Sequence, residues 1–167
     1  SCNNNPRRNL LLQAHWHSDY YNDIDFEYIF PRATHSKDGK DGLPKWVSVS
    51  EAMAPIPDPD SPNNLLNHEY SKYKLNFNGY LGHRQLDPDK PAPTVTARGD
   101  NKGGVVILPH PNGKRRMSCR ELAAVQSFPL SYEFYGNRSS IYRQIGNAVP
   151  PLLGYAVANV FNQYKEG

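Results

Sequence analysis

The two cysteines have the most reactive side chains in this sequence, because a thiolate acts as a nucleophile or as a metal ligand. Cys2 lies in a Ser-Cys-Asn context and Cys119 in a Ser-Cys-Arg-Glu context. Two cysteines are too few for a disulfide framework, and neither has the spacing of a metal-ligand set. The sequence also contains no glycine-rich strand-to-helix turn of the dinucleotide-binding type. We therefore expect neither a metal site nor a disulfide-stabilised fold.

Polar residues beside predicted helices form a second group of candidate functional residues. Arg116, Arg120 and Glu121 lie close together in the sequence and are suited to hold a loop framework through charge-assisted hydrogen bonds. The alternative is an ordinary surface ion pair, worth only a few tenths of a kcal/mol. Gly146-Asn147 combines close backbone approach with a side-chain donor and acceptor just before the last predicted helix. On its own, that pair is interpreted as a simple turn and cap.

The net charge of +3 is unevenly distributed along the chain. Residues 1–68 carry 6 Lys/Arg and 9 Asp/Glu, residues 69–120 carry 10 and 4, and residues 121–167 carry 3 and 3. An excess of positive charge in the middle third is typical of a face that meets a polyanion. A solvated basic surface without a partner also explains it, and on charge alone that explanation is favoured.

Three helices are predicted to position these residues. The first follows Ser48 or Ser50, the second follows Ser118, and the third begins at Pro150-Pro151. Ser118 and Glu121 fit a capping box, and proline is tolerated in the first turn of the last helix. The last helix has a wide apolar stripe, formed by Leu153, Val157, Val160 and Tyr164. This stripe either packs against the local core or docks onto a domain that is not part of this sequence.

The remaining segments are predicted to be loops and short strands. Asn9–Trp16 is compatible with a buried strand, and Tyr73–Phe77, Thr94–Ala97 and Val105–Leu108 have strand character. No run of 18 apolar residues occurs, which argues against a transmembrane helix. The first residues do not resemble a signal peptide. We therefore expect no membrane association and a cytoplasmic location.

Several stretches resemble cytosine-C5 DNA methyltransferases of bacterial restriction–modification systems. RRMSCRELAAVQSFP (residues 115–129) and YRQIGNAVPP (residues 142–151) resemble the last two conserved blocks of that family, in its order and spacing. PAPTVTARG (residues 91–99) resembles the end of its target recognition region, and PRRNLLLQ and YIFP resemble the block before that region. The resemblance covers most of the chain, and the two C-terminal blocks are highly specific together.

The resemblance implies a mixed α+β fold in three parts. Residues 1–30 are expected to hold a strand of the catalytic α/β domain, and residues 31–111 a small, irregular, β-rich target recognition domain. Residues 112–167 are expected to hold the conserved blocks and the helices that complete an S-adenosylmethionine-dependent methyltransferase domain.

Site residues follow from the same resemblance, position by position. Contacts with S-adenosylmethionine are expected from Asn147, Ala148 and Val149. Contacts with duplex DNA are expected from Thr94, Val95 and Thr96, flanked by Arg84, Arg98 and Lys102. A structural framework for the recognition region is expected from Arg116, Arg120, Glu121 and Gln126.

The residues that perform methyl transfer in that family do not occur in these 167 residues. The family has a Pro-Cys nucleophile, a Glu-Asn-Val carboxylate block and a Phe-x-Gly-x-Gly cofactor loop, and none of the three is present. Cys2 has no preceding proline, and Cys119 lies in a block that is not catalytic. We therefore expect no catalytic residue, no activity of this chain alone, and cofactor binding only together with an N-terminal catalytic half or subunit. A standalone DNA-binding module and a fragment of a homologous RNA cytosine methyltransferase are the alternatives.

Overall fold

The computed structural model describes residues 31–40, 42–69, 85–97 and 108–165 of the chain. Within these ranges the chain forms four α-helices: α1 (Val49–Met53), α2 (Cys119–Val125), α3 (Arg138–Asn147) and α4 (Pro151–Lys165). The same ranges contain two isolated β-bridges, a parallel one between Ser36 and Lys45 and an antiparallel one between Pro109 and Arg116. The strands predicted at Asn9–Trp16 and Tyr73–Phe77, and most of the one at Val105–Leu108, lie outside the described residues. Residues 94–97 are described and form no strand, so the strand predicted at Thr94–Ala97 is wrong.

Helix α1 begins where the sequence predicts, and Ser48 is its N-cap. The Ser48 hydroxyl accepts a hydrogen bond from the Glu51 amide at 3.3 Å, and the Glu51 carboxylate accepts one from the Ser48 amide at 2.7 Å. The next two amides, those of Val49 and Ser50, donate to the carbonyls of Lys90 and Pro88, both at 3.0 Å. These bonds satisfy backbone donors at the start of the helix that have no partner within it, and they tie α1 to a turn distant in sequence.

Helix α2 has the predicted capping box between Ser118 and Glu121, which is thus confirmed. It ends in a Schellman motif, in which the amides of Ser127 and Phe128 donate to the carbonyls of Ala124 and Ala123 at 2.8 and 2.9 Å. Ser127 has a φ of +62°, a left-handed conformation that glycine usually supplies at this position. The helix therefore stops before Phe128-Pro129, as the sequence predicts.

Helix α3 is an element that sequence analysis missed. Its N-cap is Asn137, whose side chain accepts a hydrogen bond from the Ser140 amide at 2.9 Å. Gly146 and Asn147 are its last two residues, so the interpretation of this pair as a simple turn is wrong. The Tyr142 hydroxyl donates to the Met117 carbonyl at 2.6 Å, which fixes α3 to the residues just before α2.

The core of the described residues lies between α1, α2 and α3, and α2 packs against both of the other helices. Val49 and Met53 of α1, which belong to the predicted recognition segment, share this core with the C-terminal blocks. The members buried deepest include Met117, Leu122, Ala123 and Ile145, each no more than 2% exposed.

Helix α4 begins at Pro151, which confirms the predicted opening at Pro150-Pro151. Val160 is buried, but many of its other large apolar side chains are exposed: Leu152, Leu153, Tyr155, Val157 and Phe161. Among the residues described, no helix combines the length and apolar character needed to cross a membrane.

Candidate functional site

The predicted cofactor segment lies directly against the predicted DNA segment. A Cβ atom added to Gly146 would lie 2.3 Å from the Thr96 carbonyl oxygen, 2.5 Å from its carbonyl carbon and 2.6 Å from the Ala97 Cα. Real side chains essentially never approach backbone atoms so closely. Only glycine lets the end of α3 meet the backbone of Thr96 and Ala97, so two segments about fifty residues apart, predicted for different contacts, lie against each other.

The segment Thr94–Thr96 presents its two hydroxyl groups away from the core. Thr94 and Thr96 are exposed, whereas Val95 is half-buried and packs against the core. This alternation is that of an extended chain, in which successive side chains point in opposite directions. Val95 therefore anchors the segment by packing, and the Thr94 and Thr96 side chains lie on its exposed side.

The three residues predicted to contact the cofactor lie at the junction between α3 and α4. Asn147 is exposed, Ala148 is half-buried, and Val149 is 64% exposed. An exposed amide and an exposed apolar side chain, two residues apart, suit a ligand with both polar and apolar parts.

Gln126, predicted as part of the structural framework, lies at the end of α2. Its side-chain amide donates a hydrogen bond to the Ile145 carbonyl at 3.1 Å. Ile145 immediately precedes Gly146, so Gln126 holds the last turn of α3 where the cofactor segment begins.

Glu121 is at the centre of the framework, but its partner is an arginine that the sequence prediction left out. Arg115 donates two hydrogen bonds to the two carboxylate oxygens of Glu121, each at 2.7 Å. The side chains of Arg115 and Glu121 are only 11% and 2% exposed. A bidentate pair of this kind is stronger and more directional than an ordinary ion pair. Arg116, which was selected instead, is buried at 2% exposure.

Arg120 uses its guanidinium group to donate hydrogen bonds to backbone carbonyls of two loops. It donates to the carbonyls of Leu66 at 2.9 Å, Tyr132 at 2.8 Å and Pro129 at 3.4 Å. Its guanidinium carbon also lies 5.9 Å from the centre of the Phe134 ring, within the range of a cation–π contact. Arg120 therefore fixes two loops to α2.

Two histidines that sequence analysis did not select complete this framework. The buried His68 lies 2.9 Å from the Ser118 hydroxyl through Nδ1 and 2.8 Å from the Pro57 carbonyl through Nε2. His110 Nε2 lies 3.9 Å from the Glu121 carboxylate. No motif in the sequence marks either of them.

His110 makes part of the stability depend on pH. Burial, and then the positive charge of Arg115, lower the pKa of His110 below its usual range. Folded His110 binds a proton less tightly than unfolded His110. The free energy that neutral His110 contributes to folding is therefore complete above the pKa of an unfolded histidine, about 6.5. The effect is lost as the pH falls from there towards the folded pKa. We expect the midpoint of thermal unfolding to fall between pH 7 and pH 5.5, with a smaller fall in His110→Gln. If the unfolding midpoint falls equally with pH in the wild type and in His110→Gln, His110 is not the source of the pH dependence.

Cys119 is in the wrong state for a nucleophile. It is 2% exposed, and burial raises the pKa of its thiol to about 12. At neutral pH it is a neutral thiol within the core, whereas nucleophilic attack requires the thiolate. Cys2, Arg84, Arg98 and Lys102 lie outside the described residues. In the part of the chain that the structure describes, no group of His, Cys, Asp and Glu is arranged to hold a metal ion.

Comparison of the sequence with known proteins identifies a matching family. The sequence model of the family described as C-5 cytosine-specific DNA methylase matches residues 8–163. The chain is similar to type II methyltransferase M.NgoFVII of Neisseria gonorrhoeae, with 31% identity over 150 residues, 77% of this chain and 39% of the relative. For M.AquIB of a Picosynechococcus species the identity is 41% over 92 residues, 48% of this chain and 63% of the relative. For M.BbvI of Brevibacillus brevis the identity is 31% over 158 residues, 77% of this chain and 38% of the relative. The chain thus spans between 38% and 63% of the length of these relatives.

Proposed function

Because this chain belongs to the C-5 cytosine-specific DNA methylase family, we propose that it supplies the target recognition and cofactor-binding surfaces of a DNA (cytosine-5-)-methyltransferase. Enzymes of this family use S-adenosylmethionine as methyl donor. The observation that carries the proposal is the contact between Gly146 and the backbone of Thr96 and Ala97. It joins the segment proposed to touch the cofactor to the segment proposed to touch DNA.

The proposed architecture follows the three predicted parts. Residues 31–111 form the target recognition domain, residues 1–30 contribute a strand to the catalytic α/β domain, and residues 112–167 return to that domain. The core between α1, α2 and α3 supports close packing of the recognition segment on the C-terminal blocks. Burial of α1 against α2 would keep the recognition domain in a fixed orientation relative to the cofactor segment.

Each group of site residues has a distinct proposed role. Thr94 donates its hydroxyl group to a DNA phosphate, which positions the duplex without reading its sequence, and Val95 and Thr96 contact DNA beside it. Asn147, Ala148 and Val149 line one wall of the cofactor pocket. Arg84, Arg98 and Lys102 contact phosphates or base edges, where a bidentate arginine–guanine contact discriminates by about 1–3 kcal/mol.

Methyl transfer in this proposal requires residues supplied from elsewhere, on the same polypeptide or on another. Chemistry on a cytosine requires the base to leave the stack, and a thiolate must be available to attack it. The exposed apolar side chains of α4, among them Leu152, Tyr155 and Phe161, support docking of this helix onto such a catalytic half. An exposed apolar patch is typical of a surface that binds another protein.

Relatives of very different length support a separate catalytic half. The match to M.AquIB is shorter than the match to M.NgoFVII, 92 against 150 residues, yet it makes up 63% of that relative against 39%. M.AquIB is therefore a much shorter chain than M.NgoFVII. At least one of the relatives that share part of this sequence is thus a short chain.

The proposal is tested by mixing the chain with a candidate catalytic half that carries the Pro-Cys and Glu-Asn-Val blocks. Labelled methyl donor and duplex DNA are then added to the mixture and to each part alone. We expect donor-dependent incorporation into DNA only in the mixture. Sequence-specific DNA binding by this chain alone, without any gain from the second half, would instead identify a standalone DNA-binding module. Incorporation into RNA but not into DNA would identify an RNA methyltransferase.

Cys119→Ala is expected to leave methylation by the mixture unchanged within twofold, because a buried neutral thiol takes no part in the reaction. The substitution removes one buried atom, so we expect a loss of stability of about 1 kcal/mol. Measurement of kcat and of the unfolding midpoint for the variant separates these two effects. A covalent adduct between this chain and DNA carrying 5-fluorocytosine, absent in Cys119→Ala, would show that the thiol is the nucleophile after all.

A further inference from the structure

Two consecutive side chains at the end of α2 contact both ends of the segment that joins α3 to α4. The Gln126 side-chain amide donates to the Ile145 carbonyl at 3.1 Å. The Ser127 hydroxyl accepts a hydrogen bond from the Leu152 amide at 3.2 Å. Residues 146–151, which include the proposed cofactor contacts, lie between these two attachment points.

Both attachments serve backbone groups at helix ends. The Ile145 carbonyl lies in the last turn of α3, where it accepts a hydrogen bond from the Ala148 amide at 3.3 Å as well as the one from Gln126. Helix α4 begins with Pro150-Pro151, so its N-cap residue offers no side-chain acceptor and its first residue no amide hydrogen. The Leu152 amide is therefore the first free donor of α4, and Ser127 provides an N-cap acceptor from a different helix.

The backbone at Ser127 is evidence that the hydroxyl group matters. Its φ of +62° and its place in the Schellman motif both favour glycine. A serine in this conformation is disfavoured relative to glycine, and such outliers often accompany a functional constraint. What serine provides here and glycine does not is the oxygen that accepts from Leu152.

We propose that Gln126 and Ser127 are positioning residues for the cofactor, because together they set the distance between the end of α3 and the start of α4. This inference rests on the proposed function of Asn147, Ala148 and Val149. The third support of the segment is the contact of Gly146 with Thr96. The cofactor segment is thus held between the end of α2 on one side and the recognition segment on the other.

The decisive variant is Ser127→Gly, since it removes the hydroxyl group and at the same time relieves the backbone. If the hydroxyl positions the cofactor segment, the unfolding midpoint of the assembled methyltransferase stays equal or rises while cofactor binding weakens. We expect the Kd for S-adenosylhomocysteine, measured by calorimetry without DNA, to rise about fivefold, as for the loss of one hydrogen bond. The KM for S-adenosylmethionine should rise similarly, with a smaller change in kcat.

Two further variants bear on the same point. Ser127→Asn keeps an acceptor oxygen in a residue that tolerates positive φ, and we expect it to bind the cofactor nearly as wild type does. Gln126→Glu removes the donor to Ile145, and we expect it to weaken binding as Ser127→Gly does. The matched control is Gln144→Glu, which loses the hydrogen bond from a glutamine amide to the Tyr135 carbonyl on the exposed side of α3 and should leave the Kd unchanged.

Each outcome decides between the two proposals. An assembly of wild-type chain and catalytic half without donor-dependent methylation overturns the proposed function and this inference with it. An active assembly in which Ser127→Gly raises the unfolding midpoint but leaves the Kd unchanged overturns this inference alone. Faster hydrogen exchange of the Leu152 amide in Ser127→Gly, together with the weaker Kd, supports it.

Discussion

Gly146→Ala is expected to reduce methylation by about a hundredfold in kcat/KM, the loss typical of a displacement of about 1 Å at a reacting centre. The new methyl group would lie 2.3 Å from the Thr96 carbonyl oxygen and 2.6 Å from the Ala97 Cα. Both are backbone atoms, so no side chain can rotate away to make room. Either the end of α3 or the recognition segment must move, and either shift separates the two surfaces that we propose to act together.

The same substitution is expected to destabilise the fold. Overpacking costs about 1–3 kcal/mol, and the upper end applies because backbone must shift. Alanine in a helix recovers about 1 kcal/mol relative to glycine, which leaves a net loss of about 2 kcal/mol. Thermal unfolding of the assembled enzyme measures this loss.

Gly154→Ala is the matched control for stability. Gly154 is also helical, but a Cβ added there meets no atom within 4 Å. We expect this variant to be stabilised by up to about 1 kcal/mol, from helix propensity alone. Opposite signs for the two substitutions would confirm that the Thr96 contact, and not loss of glycine flexibility, explains the effect of Gly146→Ala. A stabilised and fully active Gly146→Ala enzyme would contradict the proposed coupling of the two segments.

Glu121→Gln is expected to give the largest loss of stability, about 3 kcal/mol. The change keeps the shape of the side chain and an oxygen that can accept from the Ser118 amide, a bond of 2.8 Å in the structure. It removes the charge that pairs with the buried guanidinium of Arg115. Breaking a buried pair by removing one partner costs about 3–5 kcal/mol, and the lower end applies because Arg115 also lies 3.4 Å from the exposed carboxylate of Asp58.

Asp87→Asn makes the corresponding acid-to-amide change in an exposed pair. Asp87 lies 2.8 Å from Lys90, and both side chains are largely exposed, so we expect no measurable change in the unfolding midpoint. The double variant Glu121→Gln, Arg115→Met should be more stable than Glu121→Gln, because the unpaired buried charge is then absent. Urea unfolding of the four proteins gives the comparison. If Glu121→Gln loses no more free energy of unfolding than Asp87→Asn, the pair of Arg115 and Glu121 has no structural role.

Features that depend on neighbouring residues could be predicted from the sequence alone. The capping box of α2 joins residues three apart, and the start of α4 depends on the proline pair that opens it, so both were predicted correctly. For α1 the sequence limited the N-cap to Ser48 or Ser50, and the structure selects Ser48 with a capping box that was not predicted. Helix α3 was missed because its buried residues are few: Ile141, Tyr142 and Ile145. A glycine close to its end further weakened the helical pattern. Two specific motifs, residues 115–129 and 142–151, were also sufficient to indicate the family.

The partners of the site residues depend on contacts between residues distant in sequence. No spacing rule pairs Gly146 with Thr96, or Gln126 with Ile145, since each contact exists only once the helices have packed. Among the three arginines at 115, 116 and 120, sequence analysis selected Arg116 and Arg120 for the framework. In the structure, Arg115 is the one that pairs with Glu121. Three arginines near one glutamate are chemically equivalent in a sequence, and only the direction in which each backbone position presents its side chain in the folded chain distinguishes them.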